Sequence, residues 1–309
     1  MTTRNIEYIL IEIKGITMRK QNYLNNKDML KEIHKSKLSF CSVVEDDYTR
    51  FDVIVEDIAH VKNKEIIQLA KENRAAQLSN QAYEDAYWTW HGDSSRKTSQ
   101  KPKQINYKID PDTINEHDII FRLMTFEHVP LEPGRKSKPK TTADHHAKCN
   151  FPPFKHFAYK DGELTEVVRS HWEGGFDNGK FNVGHGAISN NLAKMFIKLC
   201  ERYSMRSNWR GYTYVDEMRS HALLQLSQIG LQFNELKSQN PFAYYTAAVT
   251  NSFTRVLNLE KRNQNIRDDL LQEAGQMPSF TRQIEHEMAE RAKWDEQADK
   301  ERKEHGFNI

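Results

Sequence analysis

Four side chains with metal-ligating chemistry crowd one short stretch, DHHAKCNFPPFKHF: His145, His146, Cys149 and His156. Imidazole and thiolate are ligands that tetrahedral zinc prefers, and zinc there would support a nuclease-like hydrolysis. The spacing matches no common zinc finger, Pro152-Pro153 stiffens the middle, and no second cysteine pair follows. A second set lies in 240–262, NPFAYYTAAVTNSFTRVLNLEKR. At helical spacing Tyr244, Asn251, Arg255, Asn258 and Arg262 share a face without a carboxylate, while Phe242, Tyr245, Val249, Phe253 and Val256 form an apolar stripe opposite. Asn and Arg side chains reach base edges and phosphates, and Tyr stacks on exposed bases, so the face suits nucleic acid. It is also the pattern of an ordinary solvated helix face. Elsewhere no paired carboxylates, nucleophile constellation or phosphate loop stands out, so neither a catalytic residue nor a cofactor is expected.

The elements that must position the second set are helical. Asn240 and Pro241 are an N-cap residue and the residue best suited to the first helical position, so a helix starts there. Before it, 187–203 places Leu192, Phe196, Leu199 and Tyr203 on one face. A second helix, capped by Tyr212 or Thr213, turns Val215, Met218, Ala222, Leu226, Ile229 and Phe233 inward. Helices of this length on short loops can share one core.

The segment 209–233, WRGYTYVDEMRSHALLQLSQIGLQF, carries Gly211, Tyr212, Thr213, Glu217, Met218, Gly230, Leu231 and Phe233; the next carries Asn240, Pro241, Ala243, Tyr244, Thr246, Phe253, Arg255, Glu260 and Lys261. In this order and separation they resemble conserved region two of bacterial sigma factors, and more closely the late-transcription sigma factor of T-even-type phages. The resemblance covers roughly 187–268 and an N-terminal piece, NYLNNKDMLKEI, at 22–33. It implies a mainly α protein: a three-helix sigma region-two-like bundle in the C-terminal half, an α+β or irregular N-terminal insertion, and an exposed C-terminal helix. The expected boundaries are 1–38, 39–180, 181–268 and 269–309.

What the resemblance implies for function is a factor that binds host RNA polymerase core and directs it to A/T-rich minus-ten-type late promoters. The polymerase-facing residues are then Glu217, Ser220, His221, Gln225 and Gln228, with His221 standing where relatives place an acid. The promoter-binding residues are Tyr244, Tyr245, Asn251, Arg255, Asn258, Lys261 and Arg262. Ala248 and Val249 occupy the positions of the paired tryptophans of primary bacterial factors. Strand opening would therefore rely on Tyr244 or Tyr245, or on a box whose unstacking is cheap. The segment 263–309 is too short and charged for a helix-turn-helix domain, and 284–304 reads as one exposed helix. Its tail offers Phe307 and Ile309 as anchors for a phage sliding clamp, with a late co-activator as a further partner. The site of action would be the cytoplasm of the infected host, at the nucleoid. The rival readings are the zinc-dependent nuclease and a structural helical-bundle phage protein.

The chain has 309 residues, 38% hydrophobic and 28% charged, with a formal net charge of +2. DNA contact must then come from local basic surfaces and not from a global field. No apolar run approaches the ~18 residues of a membrane span, so no membrane partner is expected. Cys41, Cys149 and Cys200 are scattered, which speaks against a disulfide framework and for a reducing cytosol. Residues 6–16 alternate like a strand, and everything before Met18 reads as a dispensable or misassigned extension. Leu24, Met29, Leu30 and Ile33 make a small amphipathic helix. Within 39–180, a strand is expected at 51–55. A helix is expected over 57–90, facing inward with Ile58, Val61, Ile66, Leu69 and Leu78. Tyr83, Tyr87, Trp88 and Trp90 near its end are read as core rather than as a base-stacking cluster. Acid-free basic stretches at 94–109 and 133–143 are read as loops, solvated or touching phosphates. The glycines of 172–186 are read as a linker.

Overall fold

The computed structural model describes residues 25–92, 100–131, 133–134, 148–160 and 162–304. The expected 6–16 strand, the proposed start at Met18 and Leu24 lie outside them. The chain is mainly helical, with a mixed sheet in the N-terminal half. It divides into two compact units, Met1–Leu199 with Leu226–Thr246, and Cys200–Gln225 with Ala247–Ile309.

In the first unit, helix α1 (Asn26–Leu38) starts at Asn25, whose side chain accepts from the Lys27 backbone N–H at 3.1 Å. Strands β1 (Cys41–Val43), β2 (Val53–Val55), β3 (Ile120–Met124), β4 (Phe154–Lys160) and β5 (Glu163–Ser170) form one sheet in the order β1-β5-β4-β3-β2. All neighbours are antiparallel except β2 and β3. Helix α2 (Lys64–Gly92) follows a 3-10 turn at Ile58–Lys62. Val53, Val55, Phe121, Leu123 and Phe157 of the sheet share a core with Val61, Ala70 and Ala75. The expected α2 stripe is corrected here: Ile58 and Leu69 are exposed, and the small Ala70 and Ala75 make the close contact. Strands β6 (Trp172–Glu173) and β7 (Lys180–Phe181) then pair as a hairpin. The expected glycine linker is thus ordered structure: a Cβ on Gly179 would lie 2.3 Å from the Trp172 indole nitrogen, which only glycine avoids.

Beside α1 the sheet carries charge. Arg122 is fully buried, its guanidinium 3.9 Å from the Phe51 ring centroid and 4.0 Å from that of Phe154. Its Nε donates to His156 Nε2 at 2.9 Å, and His156 Nδ1 lies 2.9 Å from the Tyr48 carbonyl oxygen. Those partners fix His156 as the neutral Nδ1–H tautomer. Lys37, at the end of α1, donates from Nζ to both Glu235 carboxylate oxygens at 2.8 Å and to the Phe233 carbonyl at 2.7 Å. Asn26 at the other end accepts from the Phe242 N–H at 3.2 Å. Both ends of α1 are thereby tied to the segment that leads into 240–262.

Burial and the neighbouring Arg122 hold His156 well below the usual imidazole range, and burial, with His128 and His185 nearby, pulls His171 down to about 3. Both folded-state values are depressed, so the unfolded chain takes up protons first as pH falls through about 6.5. Stability is expected to be fully present above that pH and to fall by about 1.4 kcal/mol per pH unit for each of these imidazoles below it. Urea midpoints measured between pH 7.5 and 5 test this. A flat profile would mean that both rings accept protons in the folded chain.

Candidate nucleic-acid interface

Three helices carry the residues singled out above: α3 (Asn190–Ser204), α4 (Val215–Ile229) and α5 (Pro241–Glu273). α3 starts at Ser189, whose hydroxyl accepts from the Leu192 N–H at 3.2 Å. On α4 the first turn closes on the Tyr214 carbonyl, one or two residues later than expected. Asn240 caps α5 as its type dictates, its side-chain oxygen accepting from the Ala243 N–H at 3.0 Å.

The apolar stripe of α5 is buried at Tyr245, Val249, Phe253 and Val256. Each such side chain contributes roughly 1.5–3 kcal/mol relative to exposure, which fixes which face looks outward. In the second unit, Phe253 packs against Tyr203 at 5.1 Å and Trp209 at 5.4 Å between ring centroids, and Tyr203 Oη lies 2.7 Å from Thr250 Oγ1. Asn251, Arg255, Asn258, Lys261 and Arg262 are all exposed, and none of the three cations forms an ion pair among the described residues. The result is an uncompensated positive face with amide side chains interleaved, all of it within the second unit.

Tyr245 does not belong to that face. It is fully buried, its hydroxyl donating to the Gly230 carbonyl and its ring 4.9 Å from Phe196, so it cannot stack on a base. Burial raises its phenol well above the ordinary value. Tyr244 is half-buried, with Phe233 at 5.6 Å, and keeps part of its ring accessible. Val249, at one wedge position, is also buried, so that site has no exposed side chain to insert.

On α4, Glu217, Ser220, His221 and Gln228 are exposed and Gln225 is half-buried. The Ser220 hydroxyl is turned back to the Asp216 carbonyl at 2.9 Å. Leu224 lies on the same face: it follows His221 at i+3, precedes Gln228 at i+4, and is 56% exposed. Its only sequence signal was its place off the buried Met218, Ala222, Leu226 stripe.

The zinc reading loses its chemistry at His156. Both of its ring nitrogens are taken by Arg122 and Tyr48, which leaves no lone pair for a metal. Cys149 is buried, and burial pushes its thiol up to about 11, away from the thiolate that zinc needs. His145 and His146 lie outside the described residues, as do Phe307 and Ile309. Among the described residues no group of three or more His, Cys, Asp or Glu is placed to hold a metal ion. No helix among them is long and apolar enough to cross a membrane. Compared with protein-family models, curated proteins and solved structures, the chain matches none.

Proposed function

We propose that the chain is a sigma-like transcription initiation factor of phage type, which binds host RNA polymerase core and directs it to A/T-rich minus-ten-type late promoters. The observation that carries this reading is the outer face of α5: Asn251, Arg255, Asn258 and Arg262 share one stripe, exposed and free of ion pairs among the described residues, opposite a buried apolar one. The order and separation of the two motif segments support the same reading. In it, Arg255, Lys261 and Arg262 neutralise phosphates, and Asn251 and Asn258 hydrogen-bond base edges of the strand being opened. Tyr244 is the remaining ring that can receive an unstacked base. With the wedge position buried, opening depends on a sequence that unstacks cheaply, which favours A/T-rich steps. The α4 face of Glu217, His221 and Leu224 would dock on polymerase, with Leu224 supplying an apolar contact in place of the charged one lost where His221 replaces the relatives' acid.

Gel filtration of the full chain with purified core polymerase, followed by permanganate footprinting on A/T-rich duplexes, tests the proposal. Co-elution and reactive thymines that need both proteins together are expected. Failure to co-elute at micromolar concentration would remove the polymerase, and the initiation function with it.

A further inference from the structure

The long helix α2 ends in rings that the sequence pattern assigned to a core. None of them is buried: Tyr83, Tyr87 and Trp90 are half-buried, and Trp88 is 41% exposed. Tyr87 lies 5.8 Å from both Trp88 and Trp90 and 5.9 Å from His91. Tyr83 continues the surface to Tyr107, at 6.2 Å. Trp88 meets Tyr87 at 79° and His91 at 62°, which are edge contacts and not face-to-face stacks.

Cations flank these rings. The segment from 101 to 109 is held along α2 by Gln104 donating to Asn80 at 2.9 Å and by the Ile109 N–H donating to Ser79 Oγ at 2.9 Å. Lys101 Nζ sits 5.4 Å from the Tyr87 ring centroid. Lys101, Lys103 and Lys108 are exposed and join no ion pair among the described residues, and the sequence from 94 to 109 holds no carboxylate. The acids on this part of α2 are Glu84, which faces Lys27 at 3.8 Å, and the exposed Asp85.

We propose that the end of α2, with Trp88 and Trp90, and the adjoining Lys101, Lys103 and Lys108 form a binding platform for single-stranded nucleic acid, DNA or RNA. Rings take bases by stacking whatever their sequence, and unpaired lysines take the phosphates between them. A duplex hides its base faces and gives the rings nothing to stack on. A protein partner would have to bring acidic groups together with apolar ones. The platform lies outside the motif segments and gives the N-terminal half a function of its own, whether or not the chain binds polymerase.

The test is fluorescence anisotropy of a labelled mixed-sequence DNA strand of about fifteen nucleotides, titrated with the full chain. All proteins carry Arg255→Ala and Asn258→Ala, so that α5 contributes as little as possible. Trp88→Ala with Trp90→Ala should weaken strand binding by at least about thirty-fold. Lys101→Ala, Lys103→Ala and Lys108→Ala together change only exposed side chains and leave the fold intact; they should lower the slope of log affinity against log salt by about two. A matched duplex should bind more weakly than the strand. The proposal is overturned if the background protein binds no strand, if the tryptophan variant binds like its parent, if the lysine variant keeps the full salt slope, or if duplex binds as tightly. Capture of an acidic apolar peptide in preference to the strand would overturn it too.

Discussion

Glu235→Leu is expected to lower the unfolding free energy of the sheet-bearing unit by about 3–5 kcal/mol. Glu235 is buried and accepts from Lys37 through both oxygens. Burial pushes its carboxyl up, but Lys37 and Arg122 outweigh that and hold it below the usual carboxylate range. Burial pulls Lys37 down to about 8 and Arg122 down to about 10, so both stay charged at neutral pH. Removing the carboxylate leaves Lys37 and Arg122 without their counter-charge in a dry interior, and takes away what holds Lys37 up, so the lysine is driven toward its neutral form. Lys37→Met should cost less, toward the lower end of that range, because Glu235 keeps the attraction of Arg122. The main loss is then the donor to the Phe233 carbonyl. The double variant should cost less than the two singles together, with a coupling of about 0.5–3 kcal/mol. Native-state hydrogen exchange at the β3, β4 and β5 amides reads this unit separately from the rest. Equal single costs that simply add would show that the two charges do not sense each other in the folded chain.

Periodicity made the α3, α4 and α5 stripes legible, because a helix brings residues three and four apart to one face whatever lies elsewhere. Leu192, Phe196, Met218, Ala222, Phe253 and Val256 are buried where that spacing puts them. The sheet was not legible in this way. Its strands pair residues far apart, such as Arg122 with His156 and Cys41 with Ser170, and no local pattern encodes the partner. His156 accordingly read as a ligand in a linear cluster, although a cross-strand guanidinium consumes it. Tyr245 shows a subtler limit: its position placed it on the apolar stripe, its hydroxyl suggested exposure, and the Gly230 carbonyl supplied the partner that lets it stay inside. The rings at the end of α2 erred in the opposite direction. Their spacing looked like core, but the facing segment from 101 to 109 is mostly polar and covers only part of them.

Arg255→Ala together with Asn258→Ala is expected to reduce promoter-directed transcription by at least about thirty-fold while leaving polymerase binding unchanged. The base-edge contact of Asn258 is worth about 1–3 kcal/mol and the charged hydrogen bond of Arg255 to a phosphate about 1.5–3 kcal/mol, and the two losses together reach that factor. Neither residue supports the fold: both are exposed, and Arg255 pairs with no carboxylate among the described residues. Alanine is at least as good a helix former as either, so α5 should persist with stability changed by less than about 0.5 kcal/mol. The complementary variant is Leu224→Asp on α4. It places a charge at an exposed apolar position and should abolish co-elution with core polymerase, and transcription with it. Circular dichroism on both variants separates these outcomes from unfolding. The comparison turns on the asymmetry: a DNA-reading face can fail while docking survives, whereas a failed docking face takes transcription down as well. Loss of polymerase binding in the α5 variant, or its survival in the α4 variant, would mean that the two helices do not divide recognition and docking in this way.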